Sequence, residues 1–467
     1  MAQSQSWWSR PSSEEPSEPL TSFESKPLEG IDVFDSENLF TRRVHILGLG
    51  SIALLIAHSL RCLPNPPPIS LMFHKDRYYE QFKRNGRVVR LISPKSEIND
   101  EQTGFDVDLL NDYPVPKNPR WKFIPDAPDR GPAINPIEEN ERMPSGELYI
   151  YSLIVTVKGP ATVDALRSVK HRVNEKTTIC LMQNGMGQID ELNQKVFTDP
   201  QTRPTYMLGI ISHGAYTSDI LTVVHAGFGT VALGIFRDPD KYPLPPKSSS
   251  RNISELSEDE RQRYYPTDKE LFSSLSSRYL LRTLTRSPVL ACAVFPYLDL
   301  LQLQLEKLST NAVMNPLTAL LNFPNGDLLD NPPLSTVQRL LVAETSLVIR
   351  GLPELDGIPN VRMRFSAKRL EHLLLGVIQR TAKNSSSMRE DVRKAKSTEV
   401  DYINGYIVRR GEEQGIKCAL HFMLMQMVKG KTFSQHGEQE TALPFGTSQI
   451  EGAAHQGVVT LTDRGSF

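Results

Sequence analysis

Lys307, Asn311 and Asn315 recur at i, i+4 and i+8 within the run Asp299 to Leu321 (DLLQLQLEKLSTNAVMNPLTALL), so one face of a helix carries an ammonium and two amides in a row. Leu303, Leu308, Val313, Leu317 and Leu320 supply apolar packing around them. A buried ammonium must be paired or lose its charge, and a buried amide must be hydrogen-bonded; a cleft wall that receives a polar ligand meets both needs. A solvent-exposed polar stripe has the same spacing. Pro316 tips the reading towards the cleft, because a proline inside a helix removes a hydrogen bond, a cost tolerated beside a site.

A second constellation spans Asn384 to Glu399. Ser387-Met388-Arg389-Glu390 has the S-x-x-E form of a capping box, so Ser387 reads as the N-cap of a helix that starts there. The N–H groups of that first turn could also bind an anion. On the helix expected over Arg389 to Gln414, Glu399 shares a face with Ala395, Tyr402, Ile403 and Tyr406. An acid on an apolar stripe needs a donor; Lys396 and a ligand-side group are both open to it.

The third is a glycine turn. Val44, Ile46 and Leu47 read as a buried parallel strand, and Gly48-Leu49-Gly50-Ser51-Ile52-Ala53 follows as G-x-G-x-x-A at the start of an apolar helix. Gly48 permits the tight turn, Gly50 lets the main chain approach a pyrophosphate, and Ala53 keeps helix and strand close. The strand Ile69 to Phe73 completes a β-α-β unit. An NAD-binding chain usually places an acid at the end of that second strand; here His74, Lys75 and Arg77 surround Asp76, which favours a 2′-phosphate and hence NADP.

These residues need elements to position them. After the β-α-β unit, a short helix and a strand at Arg87 to Ile92 are expected. Residues 99–147 are rich in Asp, Asn and Pro and lack apolar periodicity, so they read as a surface insertion. Strands at Leu148 to Val157 and Thr177 to Met182 flank a helix over 160–173, and extended segments follow at Met207 to Ala215, Leu221 to Ala226 and Thr230 to Ile235. Beyond a polar stretch at 237–267 the chain is helical: Lys269 to Tyr279, Asp299 to Leu321, Ser335 to Arg350, Ser366 to Thr381 and Arg389 to Gln414. The fold class is therefore α/β, an N-terminal Rossmann-like doubly wound sheet followed by an all-α C-terminal domain. The expected division is a disordered acidic arm at 1–41, a dinucleotide-binding domain at 42–236, the linker 237–267, a helical domain at 268–430 and a frayed tail at 431–467.

Bulk properties exclude several classes. The 467 residues are enough for two or three domains, and 53 basic against 54 acidic residues give no reason to expect nucleic acid or an anionic membrane as partner. No apolar run approaches the roughly 18 residues of a membrane span. Cys62, Cys180, Cys292 and Cys418 form no C-x-x-C pair, which fits a reducing compartment and no metal site. The first forty residues hold eight acids and two bases, a poor secretory signal and a poor mitochondrial presequence. The default expectation is cytoplasmic, with mitochondrial import as the alternative.

With these motifs placed, the chain resembles the ketopantoate reductases (2-dehydropantoate 2-reductases), most of all the longer fungal type, over roughly residues 42–98, 148–236 and 285–428. The likeness rests on Gly48 to Ala53, Thr156-Val157-Lys158, Gln183-Asn184-Gly185-Met186-Gly187, Lys307 to Gly326 and Ser385 to Gly405. It implies NADPH-dependent reduction of 2-dehydropantoate to (R)-pantoate, a step towards pantothenate and coenzyme A, with a small 2-oxo acid as substrate. It also implies roles: Lys307 as the catalytic acid; Asn311, Asn315, Asn325, Asn384 and Ser387 around the keto acid; and Glu399 near the nicotinamide end. Lys158, Asn184 and Ala215 would lie along the NADP(H), with Lys75 or its neighbours His74 and Arg77 on the 2′-phosphate. Hydride addition builds negative charge on the ketone oxygen, and a desolvated lysine can supply both charge and proton. Another 2-oxo acid, or NADP binding without turnover, are the alternatives, and oligomeric state, homodimer included, stays open.

Overall fold

The computed structural model describes residues 42–94, 98–110, 120–126, 142–243, 257–260 and 271–441. The expectations for the arm at 1–41 and for most of 237–267 lie outside these residues. In chain order, β1 (Val44–Leu47), α1 (Ser51–Arg61), β2 (Ile69–Phe73) and α2 (Asp76–Arg84) open the first domain. Next come β3 (Val89–Ser93), β4 (Ile98–Gln102), β5 (Asp106–Leu110), β6 (Trp121–Ile124), β7 (Ser152–Val155), α3 (Thr162–Arg167), β8 (Thr178–Leu181) and α4 (Gln188–Lys195). It closes with β9 (Thr205–Ile211), β10 (Gly214–Asp219), β11 (Thr222–Gly227) and β12 (Val231–Ile235).

Among the described residues the main sheet has nine strands. α5 (Leu275–Thr285) leads to its last, β13 (Cys292–Val294), and the order is β13-β12-β9-β8-β7-β1-β2-β5-β6. The run from β9 to β5 is parallel throughout, while β6 and β12 are antiparallel to their inner neighbours. Every residue of β1, β2, β7 and β8 is buried, as continuous apolar runs under two helical layers must be. The chain moves from β1 through α1 to β2 on one side and later lays β7 and β8 on the other, so the carboxyl ends of β1 and β7 form the crevice where the winding reverses. A second sheet, β10-β11-β3-β4, lies over α1.

Residues 99–147, expected as a surface insertion, instead supply β5 and β6 to the main sheet. All of β5 (DVDLL) is buried. Its acids disguised it: Asp106 pairs with buried Arg43, and Asp108 accepts from Ser70 Oγ at 2.7 Å and from Arg172 at 3.1 Å, with His45 Nε2 3.6 Å away. Burial alone would raise the Asp108 pKa, yet Arg172, the Ser70 hydroxyl and Arg43 hold it below the ordinary carboxylate value. Burial pushes His45 down to about 3, so it stays neutral.

The second domain is a helical bundle made of α6 (Tyr297–Leu321), α7 (Pro332–Arg350), α8 (Val361–Arg364), α9 (Ala367–Arg380), α10 (Ser387–Arg393), α11 (Val400–Glu412) and α12 (Ala419–Thr441). Leu305, Leu308, Ala312, Val313 and Leu317 of α6 sit in its core. Caps fix its helices: Asn331 Oδ1 accepts from Leu334 N, and Ser366 Oγ from Arg369 N. α12 runs on to Thr441, so residues 431–441 are helical in place of the expected frayed tail, and the rest of that tail lies outside the described residues. Lys431 Nζ donates to the carbonyls of Ala319 and Leu320, satisfying the end of α6. None of the described helices is long and apolar enough to cross a membrane.

Asp108→Ala would leave Arg172 charged and buried beneath the sheet. It is expected to cost about 3 to 5 kcal/mol of stability in urea unfolding; a loss under about 1 kcal/mol would show that the cluster does not hold β5 in place.

Candidate active site

The glycine turn sits at the crevice. Gly48 has φ +95°, and a Cβ there would lie 2.6 Å from the Val157 nitrogen, so both conformation and space require glycine. A Cβ on Gly50 would meet nothing within 4 Å, which leaves the turn open outwards. Leu54 N is the first to bond back, to Gly50 O, and no side chain caps α1, so the N–H groups of Ser51, Ile52 and Ala53 face out of the helix end. Thr156 N donates to Leu47 O at 2.9 Å and its hydroxyl to Gly48 O, tying the loop after β7 to this turn. At the end of β2, Lys75 occupies the N-cap position of α2, and the Arg77 guanidinium lies 4.8 Å from the Tyr78 ring centre and donates to Tyr78 Oη. Burial, with Lys75 and Arg77 nearby, lowers the His74 pKa, so the cations here are Lys75 and Arg77.

The domains meet across a charged seam. Glu399, 5% exposed, accepts from Gly159 N at 3.4 Å and from Asn184 Nδ2 at 3.1 Å, with Lys158 Nζ 3.9 Å away. Lys158 donates to Asp391 at 2.7 Å. Burial works against its charge, but Glu399 and Asp391 keep its pKa above the ordinary lysine value. Beside them, Met186 N donates to Tyr402 O, and a Cβ on Gly159 or Gly185 would strike Tyr402. Asp391 and Gly159 escaped the sequence reading, and Tyr402 entered it only as a neighbour of Glu399 on an apolar face. Asp391 lies one turn past Ser387, but its partner Lys158 is 233 residues away.

Lys307 stands on the wall of a recess of about 20 Å³ that it shares with Asn311, Gln304, Asn184, Gln183 and Leu208. Its Nζ donates to Ile211 O at 2.7 Å. Desolvation lowers its pKa to about 8, with Glu399 pulling the other way. Asn315 is buried further along α6. Thr318, on the next turn, meets the Ser386 hydroxyl at 2.7 Å and so docks the start of α10 on the same helix.

Two expectations shift here. Ser386, not Ser387, caps α10 by accepting from Arg389 N; Ser387 is the first helical residue and is exposed. The helix expected over Arg389 to Gln414 is broken, with Ala395 at φ +45° and Glu399 at the N-cap position of α11, so Glu399 bonds Asn184 rather than Lys396. Asn325 N donates to Asn384 O at 3.0 Å and its side chain to Thr381, leaving its Oδ1 buried without a partner, while Asn384 is exposed. Ala215 is the second residue of β10 and pairs with His225 of β11. A cluster of His58, Cys62 and Asp100 lies at the other end of α1 from the glycine turn, and Asp100 is 3.2 Å from His58 Nε2.

A glycine turn at a sheet's winding reversal, with a lysine of a second, helical domain bonded to the end of β9 in the same sheet, fits a two-domain oxidoreductase of Rossmann type. Family models described as Ketopantoate reductase PanE/ApbA and Ketopantoate reductase PanE/ApbA C terminal match residues 44–238 and 299–432, and the chain belongs to the ketopantoate reductase family. It is 26% identical over 393 residues to a Schizosaccharomyces pombe protein named "Probable 2-dehydropantoate 2-reductase", covering 83% of this chain and 96% of that one. It is 25% identical over 381 residues to the 2-dehydropantoate 2-reductase of Saccharomyces cerevisiae, covering 78% and 87%. Among solved structures, a PanE/ApbA family ketopantoate reductase from Ralstonia eutropha aligns with TM-score 0.55 at 16% identity, over 84% of this chain and 99% of that chain. D-mandelate dehydrogenase with NADH and anilino(oxo)acetate aligns with TM-score 0.58 at 16% identity, over 84% and 99%. At such identities the structural likeness is one of fold.

Labelling of Lys307 by an amine-reactive reagent, followed by mass spectrometry against pH, is expected to show a midpoint near 8. Because Glu399 favours the charged form, Glu399→Gln should move that midpoint lower. A wild-type midpoint near 10.5 would show that Nζ is not desolvated.

Proposed function

We propose that this protein reduces 2-dehydropantoate to (R)-pantoate with NADPH, and that Lys307 is the general acid. The observation that carries the reading is Lys307 itself: an ammonium with its pKa lowered to about 8, in a recess shared with Asn184, whose amide bonds Glu399 on the seam beside the glycine turn.

The residues present fit a dinucleotide. The open face of Gly50 and the outward N–H groups of Ser51 to Ala53 suit a pyrophosphate, and Lys75 with Arg77 suits a 2′-phosphate. Lys158 and Asn184 would border the nicotinamide ribose, with Glu399 fixing both. NADPH, when bound, supplies the hydride. Lys307 then donates its Nζ proton to the ketone oxygen of the substrate as the carbonyl carbon becomes a carbinol, and its neutral amine regains a proton from solvent. Asn311 and Asn315 would align the carbonyl along α6, while Asn325, Asn384 and Ser387, at the exposed start of α10, would hold the carboxylate and hydroxyl.

Reduction needs Lys307 protonated. Below its pKa the acid is present, and as pH rises through about 8 it is lost, so kcat/KM for reduction should fall above that pH. In an NADPH absorbance assay, Lys307→Ala should lose about 100-fold or more in kcat while NADPH binding is retained. Equal, negligible rates in wild type and variant would instead point to NADP binding without turnover. A panel of 2-oxo acids in the same assay settles the substrate: a clear preference for another member would replace 2-dehydropantoate and leave the chemistry standing.

A further inference from the structure

Pro316 lies inside α6. Proline has no N–H, and its ring crowds the carbonyl four residues back, so the Ala312 carbonyl has no partner in its own helix. Asn404 supplies one: its Nδ2 donates to Ala312 O at 2.8 Å. Asn404 is fully buried on α11. Its Nδ2 also faces His421 Nδ1 of α12 at 3.0 Å, while His421 Nε2 lies 3.1 Å from Leu341 O and 2.7 Å from the Thr345 hydroxyl of α7. The asparagine amide spends both hydrogens here, so His421 accepts at Nδ1 and carries its proton on Nε2. Burial, which pushes the His421 pKa down to about 4, keeps that arrangement at working pH.

Four helices are thus joined at the gap in the hydrogen-bond ladder of α6, which runs from Ala312 to Pro316, one residue past Asn311, and encloses Asn315. The gap has a cost that an ordinary residue at 316 would avoid, since its own N–H would serve Ala312 without help. Asn404 also lies five residues from Glu399, at the start of the same helix. We propose that Asn404 is a positioning residue: by holding the Pro316 gap against α11 it fixes Lys307 and Asn311, ahead of the gap, and Asn315, within it, in register with Glu399. The inference rests on the reading of Lys307 as general acid.

The test compares wild type with Asn404→Leu, Pro316→Ala and the double variant. Asn404→Leu strands the Ala312 carbonyl, so thermal stability and kcat should both fall, the latter about tenfold or more, with the NADPH Kd within about twofold of wild type. In the double variant the N–H of residue 316 reaches Ala312 and stability should return in part, His421 Nδ1 still lacking its donor, but kcat should not, because the gap is gone. If kcat returns together with stability, or if Asn404→Leu keeps wild-type kcat, the asparagine is only structural and the proposal falls. Should Asn404→Leu fail to fold, Pro316→Ala alone decides: a lower kcat at unchanged melting temperature supports the proposal, and unchanged kcat overturns it. Should wild type reduce no 2-oxo acid, the functional reading fails by itself. The pH midpoint of Lys307 labelling in the double variant then answers for Asn404, a shift supporting its role and an unchanged midpoint refuting it.

Discussion

The buried carboxylate of Glu399 is the constraint around which the two domains are arranged. A carboxylate withdrawn from water needs donors, and those it has, the Gly159 N–H, the Asn184 amide and the Lys158 ammonium, belong to the sheet domain while the acid belongs to the helical one. One desolvated charge therefore sets how the halves meet. Lys158 is shared between Glu399 and Asp391, which brings α10 into the same set of contacts. The same acid opposes the desolvation of Lys307, so the pKa near 8 is a balance between burial and one partner.

The sheet makes that balance usable. Reversal of winding between β1 and β7 leaves two loops side by side at their carboxyl ends, so close that a side chain on Gly48 would overlap Val157. The loop after β7 then presents Lys158 and Gly159 to the seam, and the loop after β8 presents Asn184. Three neighbouring parallel strands thus feed one crevice, and α6 closes it from the other domain by meeting Ile211 at the end of β9.

How much of this was legible in the sequence depended on whether the signal was local. The strands VHIL and ISLMF, the glycine turn and the 25-residue α6 declare themselves through mostly apolar runs, glycine spacing and helical period. β5 did not, because DVDLL looks polar until Arg43 and Arg172 are placed beside its acids. The break between α10 and α11 carries no glycine or proline, and Ala395 adopts positive φ without advertising it. Among three consecutive serines, 385 to 387, local pattern could not choose the cap; the hydroxyl of Thr318 does so by reaching Ser386. The pairing of Lys158 with Asp391 joins residues 233 positions apart and belongs to packing, not to periodicity.

The end of α6 is completed from far along the chain. The carbonyls of Ala319 and Leu320 receive their donor from Lys431, more than a hundred residues later. During synthesis from the amino terminus, the helix that carries Lys307 would leave the ribosome with its last turn still hydrated, and it becomes fully bonded only when α12 has emerged. The sheet half can thus mature well before the half that holds Lys307, which keeps the complete seam from existing on an unfinished polypeptide.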